Sequence, residues 1–140
     1  MEKTFAIVKP DAVAAGHLGG ILDRILKEEF RIVGLRMLHL STPQAEGFYE
    51  VHRERPFFAD LTRFMTSGPV VVMVLERQDA IATWRQVMGA TDPAKADEGT
   101  LRREFGTNVE RNATHGSDAP ETAAVEIAYF FNKLEICSAN

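Results

Sequence analysis

The run of six apolar residues at positions 70–75, Val-Val-Val-Met-Val-Leu, restricts the folds that are open to this chain. Four of the six are valine, whose branched side chain packs well on a pleated strand. Because the run has no polar alternation, the strand that it predicts must be covered on both faces. We therefore expect a central strand, with the rest of the chain supplying neighbouring strands and covering helices.

The spacing of the other apolar residues predicts these elements. Further strands are predicted at residues 4–8, 33–39 and 127–131. Helices are predicted at residues 18–29, from a Ser41 cap to about residue 51, at 57–65 and at 79–88, with one turn at 101–105. Residues 89–100 and 112–119 are predicted as loops, and Asp118 to Glu121 as a helix start.

This order of elements contains two β-α-β halves. It predicts an α/β sandwich of the α+β class: a ferredoxin-like split βαβ with a four-stranded antiparallel sheet covered by helices. A chain of 140 residues has the size of one domain, so we expect residues 1–140 to form a single one. This fold supports many functions, and the function must be sought in particular residues.

Charge and composition exclude several classes of protein. The net charge of −4 argues against a general attraction to nucleic acid or to anionic membranes, so no specific nucleic acid is expected as a partner. No apolar run approaches the roughly 20 residues that span a bilayer, and the N-terminus shows no apolar signal segment. The single cysteine, Cys137, is typical of a reducing compartment. We expect a cytoplasmic protein without a membrane partner.

The heptapeptide Asn112-Ala113-Thr114-His115-Gly116-Ser117-Asp118 contains the strongest candidate for chemistry. A neutral imidazole is a good nucleophile near neutral pH, and glycine beside it lets a ligand approach closely. One ring nitrogen can carry a phosphoryl group if an acceptor such as Glu126 holds the other. A lone histidine more often caps a helix or packs in a core, and spacing alone leaves both interpretations open.

This heptapeptide resembles the active-site signature of the nucleoside diphosphate kinase family. Other blocks of the chain resemble the same family in the same order and approximate spacing, over about residues 4–131. They are Ala6-Ile7-Val8-Lys9-Pro10-Asp11, Arg55-Pro56-Phe57-Phe58, Ser67-Gly68-Pro69-Val70, Gly89-Ala90-Thr91-Asp92-Pro93-Ala94 and Gly99-Thr100-Leu101-Arg102. A single block is a weak signal, whereas the ordered set is specific.

The resemblance implies a ping-pong transfer. A nucleoside triphosphate, typically ATP, gives its γ-phosphate to His115, and a nucleoside diphosphate takes it, with broad base specificity and a role in GTP, UTP, CTP and dNTP synthesis. By the same resemblance Glu126 and Ser117 orient the histidine. Contacts to phosphates, sugar or the transferring group are implied for Lys9, Tyr49, Arg85, Thr91, Arg102 and Asn112. A base-stacking position is implied for Phe57, beside Leu61 and Val109, with the polar His52 at the edge of the site.

The resemblance also implies Mg²⁺ and a homo-oligomer, either a tetramer or a hexamer. Mg²⁺ sheds water reluctantly, so we expect the nucleotide phosphates and water to carry it rather than a dedicated set of protein ligands. The sequence departs from the family pattern at Ala14-Ala15, where polar or basic residues are common, and at Glu98-Gly99, where Pro-Gly is common. These departures bear on stability and subunit contacts rather than on chemistry.

Each site residue also has an ordinary structural interpretation. Lys9 could be a solvated turn residue, Arg85 a surface charge, Arg102 part of an exposed ion-pair cluster, and Phe57 or Tyr49 a packing residue. Two rival functions are a binding module without turnover and a histidine phosphorelay protein. Against the first rival stands the intact set of His115, Lys9, Arg85, Arg102 and Asn112. A relay protein needs no base-stacking Phe57 or sugar-reaching Lys9, so nucleotide binding would separate the second rival from a kinase.

Overall fold

The computed structural model describes residues 1–138 and contains a four-stranded antiparallel sheet. The strands are β1 (Glu2–Val8), β2 (Arg31–Leu38), β3 (Val70–Arg77) and β4 (Thr114–Gly116). They lie in the order β2-β3-β1-β4, which is the arrangement of a split βαβ sandwich. The predicted fold class is confirmed.

The apolar run at 70–75 forms most of β3 and is buried along its whole length. Its side chains alternate between two core layers, with Val71, Met73 and Leu75 on one face and Val70, Val72 and Val74 on the other. Both faces are covered, as the absence of polar alternation predicted.

Seven helices cover the two faces of the sheet in the described part of the chain. They are α1 (Pro10–Ala14), α2 (Leu18–Lys27), α3 (Thr42–Phe48), α4 (Phe58–Met65), α5 (Ala80–Met88), α6 (Leu101–Phe105) and α7 (Pro120–Phe130). Residues of α2 and α5 join the core layer of Met73, while residues of α3, α4 and α7 join that of Val72. Short 3₁₀ turns follow at Glu50–His52, Pro93–Lys95 and Lys133–Glu135. Among residues 1–138, no helix combines the length and apolar character that a membrane crossing needs.

The prediction of a last strand at residues 127–131 is wrong, because this segment is the end of α7 and the residue after it. Ala123, Ile127 and Phe130 recur at helical spacing and contribute one apolar face to the core, so the short run of bulky residues had two possible periods. The fourth strand is instead β4, inside the predicted loop at 112–119. Three residues are too few to show a period of two.

Two other features of the strands and their connections were not predicted from the sequence. The chain does not simply turn after β1 but forms α1, which begins at Pro10. Strand β2 carries an irregularity between Ile32 and Gly34, and it lies at the edge of the sheet. Leu35 and Met37 on this strand are more than half exposed.

Candidate active site

Strands β1 and β4 bring Lys9 and His115 to the same part of the sheet. Ile7 in β1 lies opposite His115 in β4, and Lys9 is the residue that follows β1. The Lys9 backbone N–H donates to the Ala113 carbonyl at 2.8 Å, which extends the pairing beyond the end of both strands. His115 therefore lies on a strand of the sheet, rather than in the loop that the sequence predicted.

The His115 imidazole is held through one of its two nitrogens. Nε2 lies 3.1 Å from Glu126 Oε1, and the buried Ser117 hydroxyl donates to the same oxygen at 2.7 Å. Because an ionised carboxylate can only accept, the proton of the neutral ring lies on Nε2. Nδ1 then keeps its lone pair and can act as a nucleophile.

Aromatic side chains enclose the ring and leave one part of it open. Phe48 and Phe5 meet the imidazole edge-on, with ring centroids 5.5 and 6.2 Å away. The Trp84 indole N–H donates to the His115 carbonyl at 3.2 Å, so the backbone is fixed as well. The His115 side chain is still 23% exposed, which leaves room for a reaction partner.

Tyr49, the residue that follows α3, is buried beside the Phe48 ring. Burial raises the pKa of the Tyr49 hydroxyl above its usual range, and the Glu126 carboxylate adds to the rise. The hydroxyl therefore stays protonated and can donate a hydrogen bond.

A strained turn connects Asn112 to His115. The Thr114 N–H donates to the Asn112 carbonyl at 2.8 Å, and Ala113 between them has φ of +73°. These features define the rare γ-turn with a positive central φ. A left-handed conformation costs a residue with a Cβ atom about 1–2 kcal/mol. It persists only where surrounding contacts over-determine it, often at functional sites.

Lys9 is buried and points its ammonium at this turn. Its Nζ donates to Asn112 Oδ1 at 2.8 Å and to the Glu110 carbonyl at 3.2 Å. Burial lowers the pKa of Lys9 to about 8; Asp11 opposes this shift, and Arg102 adds to it. A cation that is removed from water in this way gains strongly from an anionic ligand such as phosphate.

Arg102 is a second cation held against the same strand. Its Nη1 donates to the Gly89 carbonyl and its Nη2 to the Thr114 carbonyl, both at 3.0 Å. Each terminal nitrogen has a further N–H for a phosphate oxygen. Burial lowers the pKa of Arg102 to about 10, and the nearby Arg85 adds to the lowering. The two guanidinium groups thus form a positively charged area, and a bound anion would offset the repulsion between them.

An apolar cleft of about 420 Å³ opens beside Lys9. Phe57, Leu61 and Val109 line it together with Asp60 and Glu110, and Phe57 is 48% exposed. The His52 and Phe57 rings lie 5.4 Å apart, which places His52 at the edge of the cleft. A flat apolar surface next to a buried ammonium suits a ligand with an aromatic ring at one end and anionic groups at the other.

Comparisons with known proteins agree with this chemistry. The sequence model of the nucleoside diphosphate kinase family matches residues 2–136. The chain belongs to this family. A nucleoside diphosphate kinase of Desulfotalea psychrophila is 64% identical over 136 residues, which cover 97% of this chain and 99% of the relative. One of Geobacter sulfurreducens is 60% identical with the same coverage.

A solved structure shows the same fold. The crystal structure of the Aquifex aeolicus nucleoside diphosphate kinase superposes with a TM-score of 0.94 at 49% sequence identity. The superposition covers 96% of this chain and 98% of that one. Family membership confirms the predictions of a nucleotide-binding kinase and of a phosphotransferase.

The family's expected site residues do not all lie in one group. Lys9, Asn112 and Thr91 are linked, because Asn112 Nδ2 donates to the Thr91 carbonyl at 3.0 Å. Thr91 is thus linked to Asn112 through its backbone carbonyl, while the phosphate contact predicted for its side chain stays a prediction. Arg85 is exposed and lines a neighbouring depression of about 510 Å³ with Asp118. That depression is larger than the cleft at Phe57, but none of the residues that line it has an aromatic ring for stacking.

The donor set fits a metal that arrives with the nucleotide. Within residues 1–138, no group of three or more His, Cys, Asp and Glu side chains is arranged to hold a metal ion. The charged side chains near His115 and the cleft include the cations Lys9, Arg102 and Arg85, which suit phosphate oxygens.

Sequence reasoning did not assign three residues that support the site. Phe48 and Trp84 fix the ring and the carbonyl of His115, as described above. Asp11 accepts the Ala113 N–H. Each acts through a contact between distant parts of the chain, and only the Lys-Pro-Asp block gave a local signal for Asp11.

Proposed function

We propose that this chain is a nucleoside diphosphate kinase that transfers the γ-phosphate through a phosphohistidine at His115. The observation that carries the proposal is the hydrogen bond from His115 Nε2 to Glu126, since it leaves Nδ1 as the nucleophilic nitrogen. Ser117 steadies the same carboxylate, and Tyr49 supplies a protonated hydroxyl beside it.

The first half-reaction begins with a nucleoside triphosphate in the cleft. The base stacks on Phe57 between Leu61 and Val109, and the phosphates contact Arg85, Arg102 and Thr91. Nδ1 of His115 attacks the γ-phosphorus, an N–P bond forms, and the bond to the bridging oxygen breaks. The nucleoside diphosphate leaves with that oxygen and its electron pair.

The second half-reaction reverses these steps with another nucleoside diphosphate. Its terminal oxygen attacks the phosphohistidine, the N–P bond breaks, and His115 regains its lone pair. Lys9, which lines the cleft, and Asn112, which pairs with it at 2.8 Å, hold the sugar and phosphates in both halves. Most of the catalysis is positioning and charge stabilisation.

We include Mg²⁺ in the proposal as the cofactor of the nucleotide. It would be held by the nucleotide phosphates and water, and when bound it neutralises part of the phosphate charge. The protein's contribution is the cationic lining of Lys9, Arg85 and Arg102.

Broad base specificity follows from the chemistry of the cleft. Phe57, Leu61 and Val109 offer apolar surface, and every base has a face that can stack on it. Discrimination between bases needs donors and acceptors aimed at their edges. The three apolar side chains provide none.

We also propose a homo-oligomer, a tetramer or a hexamer, in the cytoplasm. The edge strand β2 exposes Leu35 and Met37, and α2 exposes Leu26. Apolar residues on an open sheet edge favour pairing with another chain. Sedimentation of the wild type and of Met37→Lys tests this: we expect a smaller particle for the variant, and a monomeric wild type would contradict the proposal.

A two-step experiment tests the enzymatic proposal. The protein is incubated with ATP and Mg²⁺, freed of nucleotide, and weighed intact; GDP is then added and GTP is measured. We expect one acid-labile phosphate that passes to GDP, and neither step in His115→Ala. Phosphate that is gained but never passed to GDP would indicate a relay protein. Nucleotide binding without any phosphorylation would indicate a binding module.

A further inference from the structure

The Asp11 carboxylate reaches from the first turn of α1 to the segment before His115. Its Oδ2 accepts the Ala113 N–H at 3.1 Å. Its Oδ1 is buried and has no hydrogen-bond partner within residues 1–138. A carboxylate oxygen that is buried without a partner is unfavourable unless other contacts require it there. We propose that Asp11 is a positioning residue, which holds the strained turn at Ala113 and so fixes His115 and Asn112 relative to Lys9.

This inference rests on the function proposed above and concerns the same site. Both backbone polar groups of Ala113 are bonded to residues that flank Pro10. The Ala113 N–H donates to Asp11, and its carbonyl accepts from the Lys9 N–H at 2.8 Å. Pro10 restricts the backbone between the two contacts. The short segment from Lys9 to Asp11 therefore clamps the left-handed residue from both sides.

The clamp determines where two functional side chains lie. Ala113 reverses the chain between Asn112, whose amide meets the Lys9 ammonium, and Thr114, which begins β4. Without the Asp11 contact, Ala113 can relax toward a negative φ, which a residue with a Cβ atom prefers. That relaxation rotates the Asn112 peptide away from Lys9 and shifts the strand that carries His115.

Asp11 also affects the charge of Lys9. The charged groups nearest to the ammonium, or lining the same cleft, come from several elements: they are Asp11, Asp60, Arg102 and Glu110. Asp11 is the largest of the charges that favour the protonated lysine. Loss of its charge should therefore make Lys9 lose its proton at a lower pH.

Three variants separate the contact from the charge. Asp11→Ala removes the hydrogen bond and the charge, whereas Asp11→Asn removes the charge but keeps an oxygen that can accept the Ala113 N–H. Asp23→Ala is the matched control, because it removes an exposed carboxylate on α2. We expect Asp11→Ala to lower kcat for ATP-to-GDP transfer about 100-fold. Nucleotide Kd should change only a few-fold, because the cleft at Phe57 is untouched. Asp23→Ala should match the wild type.

A second substitution tests whether the strained turn is the reason for that loss. Glycine adopts a positive φ without the Cβ penalty, so Asp11→Ala combined with Ala113→Gly should recover about tenfold of the lost kcat. A purely electrostatic or remote stability role predicts no recovery. Unchanged kcat in the double variant relative to Asp11→Ala would therefore overturn the positioning role.

Asp11→Asn provides the pH readout. We expect a kcat near that of the wild type at about pH 7, and an alkaline limb of kcat/KM that lies at lower pH than in the wild type. If Asp11→Ala does not fold, this variant decides alone: its amide oxygen can still accept the Ala113 N–H, so a kcat reduced about 100-fold at about pH 7 overturns the positioning role. Full wild-type kcat in folded Asp11→Ala overturns it as well.

The proposed function and this inference can fail separately. An active wild type with an equally active Asp11→Ala rejects only the role of Asp11. A wild type that never phosphorylates His115 rejects the enzymatic proposal. In that case, hydrogen exchange of the Ala113 amide in the nucleotide-free wild type and in Asp11→Ala still tests the Asp11 contact. Faster exchange in the variant supports the contact, and equal rates overturn it.

Discussion

The two ends of the site are built in different ways. At the phosphate end, the polar groups of Lys9, Asn112 and His115 are hydrogen-bonded to named partners and largely withdrawn from water. At the base end, Phe57 and Val109 are about half exposed and offer only apolar surface. Hydrogen bonds at fixed positions select geometry, whereas an open apolar surface accepts any flat ring. The chemistry should therefore depend steeply on small changes at one end and weakly on base identity at the other.

The largest expected effect lies at the phosphate end. Glu126→Gln keeps an oxygen for the Ser117 hydroxyl but removes the charge that fixes the His115 tautomer. We expect kcat to fall about 100-fold while KM changes little, measured by steady-state ATP-to-GDP transfer. Glu121→Gln on the exposed side of α7 is the control. Wild-type kcat in Glu126→Gln would mean that the carboxylate does not orient the ring.

A substitution at the base end should affect binding instead. Phe57→Ala removes the stacking surface, worth about 1–2 kcal/mol, and should raise KM about 5- to 30-fold for purine and pyrimidine nucleotides alike. Chemistry at saturation should be nearly unchanged. Val125→Ala, a truncation on the exposed face of α7, serves as the control. A rise in KM confined to nucleotides of one base would show that this end of the site recognises base edges, which would contradict the contrast between the two ends.

The buried Lys9 should make the free enzyme sensitive to alkaline pH. Its pKa is lowered to about 8, so the ammonium is present below that pH and is lost above it. We expect kcat/KM to fall as pH rises through about 8, roughly tenfold per unit, and kcat to fall only at higher pH because bound phosphates favour the cation. A flat profile to about pH 10 would show that a charged Lys9 is not required.

The smallest effect is expected outside both ends. Thr100 N–H donates to the Asp97 carbonyl at 3.2 Å and Gly99 has φ of +88°, which defines a turn that favours proline at position 98. Glu98→Pro should raise the free energy of unfolding by about 0.4–1 kcal/mol without changing kcat. Chemical denaturation measures the first quantity. An altered kcat would show that the phosphate end is sensitive to this loop.

Much of the fold could be predicted from local pattern. The uninterrupted run at 70–75 predicted the central strand, and the helical spacing of Ile21 and Ile25 predicted α2. The last strand could not be predicted, because Ile127 to Phe131 has no polar residue that would separate a helical period from a strand period, and β4 is only three residues long. Short strands are determined by their neighbours rather than by their own sequence.

In the site, too, local sequence blocks predicted some residues, and contacts between distant parts of the chain determined others. The resemblance of whole blocks named His115, Lys9 and Phe57, and the structure places Lys9 beside the cleft and at the turn before β4. The supporting contacts of Asp11 and Trp84 bridge 102 and 31 positions of the chain. No periodicity reports pairs this far apart, so they became visible only in three dimensions.

The most direct test of the account is the position of the phosphate on His115. The phosphorylated enzyme, prepared with ATP and Mg²⁺, can be examined by phosphorus and nitrogen NMR, with His115→Ala as the blank. The hydrogen bond between Nε2 and Glu126 predicts phosphate on Nδ1 alone. Phosphate on Nε2, or on any residue other than His115, would contradict the proposed mechanism.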